Sequence, residues 1–297
     1  MNAPHDIARR MFDLIEPVAL VAFFSEEPND EMAALGFTTY WDGYFAGRAA
    51  PLGRAPAEVV DAAFYSFGPG EVARHVPKVW DTTTPEEAHA ARQRGCVAAL
   101  RRILGDLADS PGLARAADLL ARAATGAPLE GRVMYAALRS LPLPTEPVAR
   151  LWFAANMLRE HRADGHVVAL MAEQVDRTES HVLLAIDAGV DPPESFGRIH
   201  HLPQAYLDRV MAGLRSRGLL DPEGRFTAAG RATKDRVEAL TDALAAAPYV
   251  ALPPADLDEL VTSMEPIAAR LVETGSRPSL RMVRRPSSFS QATRIHT

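Results

Sequence analysis

Apolar residues recur along the chain at intervals of three and four far more than at alternate positions, which predicts helices almost throughout. Val148, Leu151, Trp152, Ala155 and Leu158 form one such stripe, on a helix expected over 147–162 with Pro147 in its first turn. Leu207, Val210, Met211 and Leu214 form another, on a helix over 202–217. Segments 7–24, 85–107, 112–124, 178–188 and 254–273 read the same way. Ala163-Asp164-Gly165 reads as a break after the 147–162 helix, with Asp164 capping a further helix over 166–174. A strand pattern is confined to one place. Gly218 ends a helix, Leu219-Leu220 begins a short strand, Asp221-Pro222-Glu223-Gly224 turns, and Arg225-Phe226-Thr227 returns. Thr227 then caps a helix starting near Ala228. Helix, short hairpin, helix is the plan of a winged helix.

Two segments match in one frame. Tyr44, Ala46, Arg48, Pro51, Leu52 and Pro56 fall on Tyr135, Ala137, Arg139, Pro142, Leu143 and Pro147, an offset of 91 residues, and His75-Val76 falls on His166-Val167 at the same offset. So long a period indicates a duplicated helical domain, not a solenoid. Each copy has a short helix carrying the Tyr and Arg, a proline-broken turn and a second helix; Phe67-Gly68-Pro69-Gly70 is the break in the first copy that corresponds to 163–165 in the second. The expected fold class is therefore mainly α, with duplicated helix-turn-helix-like domains and a C-terminal winged helix bearing a short β-hairpin. The expected divisions are helical repeats over 1–108 and 109–190, a winged-helix module over 191–250, a helix over 251–274, and a disordered basic tail over 275–297.

Composition narrows the function classes. With 47% apolar and 24% charged residues the chain can bury a large core, and neither cofactor nor metal is expected. Cys96 is the lone cysteine, which suits a reducing compartment; in a helical run beside Val97 and Leu100 it reads as a small core residue and not a nucleophile. No stretch reaches membrane-span length, and acids precede the apolar run over 17–24, so a cytoplasmic location without membrane contact is expected. The net charge is −6, but the tail holds five arginines and no acid, leaving 27 basic against 38 acidic residues in the body. Such a body repels phosphate at long range, so DNA binding needs a local basic patch.

Segment 198–236 offers that patch, with eight basic residues against four acids. Gln204, Tyr206, Arg209, Arg215 and Arg225 are the expected contacts to double-stranded DNA, although the same arginines also read as an ordinary solvated face. Segment 168–182 has a bihelical rhythm too, but Glu179 in its second helix disfavours phosphate, and it reads as support for the winged module.

A second cluster lies at the expected break. Glu160, His161, Asp164 and His166 are candidates for acid–base chemistry or ligand contact, but their spacing is not that of a metalloenzyme. The plain alternatives are a core-bordering histidine, a capping aspartate and surface ion pairs. With Tyr135, Arg139 and Trp152, His161 and His166 would line a small-molecule pocket between the repeats. His200-His201 adds a polar pair just before the expected DNA-reading helix.

The run Leu-x-x-Arg-Gly-Leu-Leu-Asp, followed by Gly-Arg-x-Thr-x-x-Gly-Arg, resembles MarR-type winged-helix regulators over 202–246, except that the wing is only a turn. Together with Leu158-Arg-Glu-His-Arg-Ala-Asp-Gly-His166 and the repeat signature, the chain from about 8 to 255 resembles an uncharacterised actinobacterial helix-turn-helix family, whose Arg-Gly-Asp-Gly-His motif here carries Ala163. The resemblance implies DNA binding and no established chemistry. Two readings stand: a winged-helix transcriptional regulator whose helical region holds a small ligand or a homodimer interface, or an enzyme or small-molecule-binding protein that uses winged-helix parts as scaffold. Base-repair chemistry would need an acid–base carboxylate beside the DNA face, and the sequence singles out no residue for that role.

Overall fold

Helix starts follow local capping chemistry. Thr84, Ser110 and Glu146 each accept backbone N–H groups from the first turn that follows them, and each precedes a proline whose missing N–H costs nothing there. Asp176 and Glu179 form a reciprocal capping box, as do Thr84 and Glu87, and Thr227 caps through the Gly230 N–H. The computed structural model describes residues 4–190 and 202–274. They form α1 (Pro4–Phe24), α2 (Glu26–Ala34), α3 (Tyr40–Ala49), α4 (Ala57–Phe64), α5 (Pro85–Leu104), α6 (Pro111–Gly126), α7 (Val133–Arg139), α8 (Pro147–Ala172), α9 (Arg177–Asp187), α10 (Gln204–Ser216), α11 (Ala228–Ala245), α12 (Ala247–Val250) and α13 (Pro254–Glu273).

Helix α8 is the central element. It packs on α1, α5, α6, α7 and α11, and Val148, Leu151, Trp152, Phe153, Ala154 and Met157 are all buried. Over 148–165 the helix is enclosed on nearly every side and so has no single apolar stripe, which is why the stripe read from sequence captured only part of its buried surface. One apolar cluster joins α1, α5, α6, α8 and α13. A second gathers α2, α3 and α4 with Trp80, Ala88, Ala91 and Met134. A third joins the end of α8 to α9, α10, Leu219-Leu220 and α11.

Two expectations are corrected. The break at 163–165 does not occur: α8 runs through it as one 26-residue helix. Asp164 does cap a helix start, but of α7, where its Oδ2 accepts the Tyr135 N–H at 3.0 Å. Gly165 is small because Arg132 crosses it; a Cβ there would stand 2.5 Å from Arg132 Nη1. Both residues answer to a neighbouring segment, so neither marks a turn. The β-hairpin is reduced to a single antiparallel bridge between Leu220 and Phe226, and no strand forms among the described residues. The four-residue turn leaves too little chain for a ladder, and Gly224 (φ +80°) closes it as a glycine should. The expected basic tail, His200-His201 and Arg198 lie outside the described residues.

The repeated motifs share a local grammar but not surroundings. In both, the short helix carries Tyr and Arg and ends at the Pro-Leu segment, yet α4 has 8 residues and α8 has 26. Arg48 is buried, whereas Arg139 is exposed and donates to the Thr125 carbonyl at 2.9 Å.

Candidate functional site

The segment expected to read DNA is built on the third cluster. Leu207 and Leu214, two turns apart, seat α10 on α9 and α11, while Gln204, Asp208, Arg209, Arg215 and Ser216 are exposed. Tyr206 is partly withdrawn; its hydroxyl lies 3.1 Å from Thr178 Oγ1, and its ring packs in the cluster. The Gln204 amide donates to Asp208 at 3.0 Å. Of the basic residues in this segment, Arg217 pairs with Glu179 (2.8 Å), Arg225 with Asp221 (2.9 Å), Arg231 and Lys234 with Asp187 (2.5 and 3.1 Å), and Arg236 with Glu173 (2.7 Å). Arg209 and Arg215 have no carboxylate partner among the described residues. Acids from the end of α8 and from α9 thus offset much of the patch that sequence counting made basic. Exposed pairs of this kind are weak and can exchange a carboxylate for a phosphate.

The four ionisable groups over 160–166 sit on one helix but face different neighbours. The Glu160 carboxylate is buried between Arg48 Nη2 (3.2 Å) and Arg159 Nη1 (3.0 Å), and Arg159 also reaches Glu16 at 3.2 Å. Burial alone would raise the Glu160 carboxyl, but Arg48 and Arg159 outweigh it and hold it near about 2. His161 packs edge-on against Tyr135, ring centres 5.0 Å apart, and burial with Arg132 nearby lowers its pKa to about 4. Tyr135 is fully buried and donates to the carbonyls of Ala124 (2.6 Å) and Ala127 (3.0 Å). His166 Nδ1 lies 2.9 Å from Thr241 Oγ1, whose own proton goes to the Val237 carbonyl at 2.7 Å. Thr241 is therefore the acceptor, and the His166 Nδ1 carries the proton. Burial lowers this histidine, against the opposing pull of Glu238. The five residues expected to line one ligand pocket separate in the same way. Tyr135 and His161 touch, Trp152 lies beside Arg92, Arg139 is at the surface, and His166 binds α11. Among the described residues no group of three or more His, Cys, Asp or Glu is placed to hold a metal ion.

Burial raises the Asp164 carboxyl to about 7, against the Tyr135 N–H that favours its charged form. Because the folded pKa exceeds the unfolded value, the folded state binds more protons between about pH 4 and 7, and stability falls as pH rises through that window. Asp164→Asn keeps an acceptor for the Tyr135 N–H without a titrating group. Its thermal stability is expected to lose this part of the pH dependence; melting curves as steep in pH as wild type's would contradict the assignment.

Reading residues one at a time missed a polar cluster beneath aromatic rings. Arg48, Arg92 and Arg159 come together between α3, α5 and α8, with Arg48 over the Phe64 ring (4.2 Å) and Arg92 near Phe23 (5.1 Å) and Trp152 (5.7 Å). Helical spacing was the signal that could have found Arg92: it lies four residues before Cys96 and eight before Leu100, on the buried face of α5, whereas Arg94, Arg101 and Arg102 of the same helix are exposed.

These features define an all-helical protein with an exposed helix mounted beside a short turn. The chain belongs to the helix-turn-helix family, whose family model matches residues 8–278. No curated protein and no solved structure matches it. No described helix is long and apolar enough to cross a membrane.

Proposed function

We propose that this chain is a DNA-binding transcriptional regulator that reads duplex DNA with α10 and the 221–225 turn, in a MarR-like winged-helix arrangement with a shortened wing, and that its larger helical region answers to a small molecule. One observation carries the reading. Leu207 and Leu214 are the buried residues of α10, and Gln204, Arg209 and Arg215 are exposed, with neither guanidinium paired to a carboxylate among the described residues. A methyl placed on Gly224 would stand 3.8 Å from Arg215 Nη2, so Arg215 and the turn bearing Arg225 form one edge. Family membership supports the same reading, because a helix-turn-helix presents its second helix to the major groove.

Binding of the full chain to fluorescent duplex DNA across a salt series tests it, with the protein's own upstream region compared with random sequence. Wild type is expected to bind with a steep negative salt slope. Replacing Arg209 and Arg215 together with alanine should flatten that slope by about two ion equivalents. A slope unchanged in the double variant, or no binding at low salt, would remove α10 as the reader.

A further inference from the structure

The buried cluster between α1, α3, α5 and α8 is unbalanced in charge. Three guanidiniums, Arg48, Arg92 and Arg159, face two carboxylates, Glu16 and Glu160. Both carboxylates are engaged by Arg48 and Arg159. Among the described residues Arg92 has no anionic partner, although it is only 5% exposed. Among the described residues its one hydrogen bond is a long one from Nη1 to the Gly47 carbonyl at 3.5 Å, and its Nη2 has no hydrogen-bond partner. Burial lowers its proton affinity, yet a guanidinium stays charged inside proteins. An unpaired buried cation is costly enough that folded chains rarely keep one without a reason.

Other unsatisfied atoms lie on the elements that meet here. Arg48 Nε and Trp152 Nε1 are donors without acceptors, while Asn156 Oδ1, one turn along α8 from Trp152 and one turn before Glu160, and Glu16 Oε2 are acceptors without a hydrogen-bond donor. Arg48, Trp152 and Asn156 are each at least nine-tenths buried. With Arg92 Nη2 the open donors number three against two acceptors, and three guanidiniums face two carboxylates, so an incoming group must be chiefly an acceptor and anionic. Aromatic rings surround the cluster. The Arg92 guanidinium lies near both Phe23 and Trp152, the half-buried rings of Tyr40, Trp41 and Tyr44 pack together with centres 5.2–6.1 Å apart, and Phe23 lies 5.5 Å from Tyr44. A planar ring with an acidic group matches both features: the face stacks on aromatics and guanidinium, and the charge offsets Arg92.

We propose that Arg92, Arg48 and Trp152 form a binding site for a small aromatic carboxylate, whose carboxylate takes the open N–H groups of Arg92. The site stands apart from the residues proposed to read DNA, so it succeeds or fails independently of that reading. It is nonetheless connected to the DNA-reading segment. Arg177, at the start of α9, donates to Asp61 (2.8 Å) and to the Phe67 carbonyl (3.2 Å), and the Phe67 ring lies 5.8 Å from that of Tyr44.

The test titrates the full chain with benzoate and 2-naphthoate, read by tryptophan fluorescence and melting temperature. Benzamide, acetate and inorganic phosphate are the comparison probes. Both aromatic carboxylates are expected to saturate and to bind about tenfold or more tighter than benzamide, as a charge-assisted pair requires. Arg92→Met should fold, because it removes an uncompensated cation while keeping an unbranched chain, and should lose carboxylate binding. If that variant does not fold, the wild-type ratio of benzoate to benzamide decides alone. Absence of saturation by either carboxylate, equal binding of benzamide, undiminished binding by a folded Arg92→Met, or binding of phosphate without the aromatic acids would each overturn the proposal.

Discussion

Glu160→Ala is expected to destabilise the chain by about 3–5 kcal/mol, the range for removing one partner of a buried ion pair. Glu160 is 2% exposed, and its two oxygens are the acceptors for Arg48 and Arg159. Without it three guanidiniums share a core with Glu16 alone. The loss should be smaller in an Arg92→Met background, since one of the repelling charges is already gone, and a double-mutant cycle on urea unfolding measures that coupling. The pH dependence carries a sign. The folded carboxyl sits near about 2, below its ordinary 4.5, so its contribution is complete above about pH 4.5 and is lost as pH falls towards 2. Wild type should therefore lose stability steeply in acid and Glu160→Ala less so. Equal midpoints for the two proteins at pH 7 would show that the cluster carries no such energy.

Gly230→Ala is expected to cost about 3 kcal/mol, at the upper end for overpacking. A Cβ at this position would stand 2.0 Å from the Leu219 carbonyl oxygen and 2.9 Å from its carbon. Both are backbone atoms that cannot rotate away. The same carbonyl accepts the Thr227 N–H at 3.1 Å, so moving it disturbs the cap of α11 and the Leu220–Phe226 bridge together. Gly213→Ala on α10 is the control: nothing lies within 4 Å of its Cβ, and in a helix the exchange should be neutral or stabilise by up to about 1 kcal/mol. Hydrogen exchange at the amides of Asp221 and Thr227 should rise in Gly230→Ala and stay unchanged in Gly213→Ala. Full protection in both would mean that α11 and the turn are less tightly joined than their geometry requires.

The helices were largely legible because their signals are local. Threonine, serine or glutamate before proline fixes the starts of α5, α6 and α8, and the spacing of Leu207 and Leu214 fixes the inner face of α10. The candidate sites were legible only in part. Counting charges over 198–236 made a basic patch, but Glu173, Glu179 and Asp187, which offset it, come from outside that window. Glu160, His161, Asp164 and His166 looked like one cluster because they are close in sequence, yet successive helical positions point in different directions.

The helical chain, its caps, its repeated Tyr–Arg motifs and the tight turn before α11 follow from local sequence, since each depends on residues a few positions apart. What matching residues do depends on long-range packing. Arg48 and Arg139 occupy matching places in the two motifs, but the first meets Glu160 in the core and the second lies at the surface. Asp164 and Gly165 spell a turn in isolation. They remain in a helix because α7 needs the carboxylate as its cap and Arg132 needs the space above the glycine. Burial sets the cost of a charge, and burial is fixed by segments more than a hundred residues apart in sequence, as Arg48 and Glu160 are.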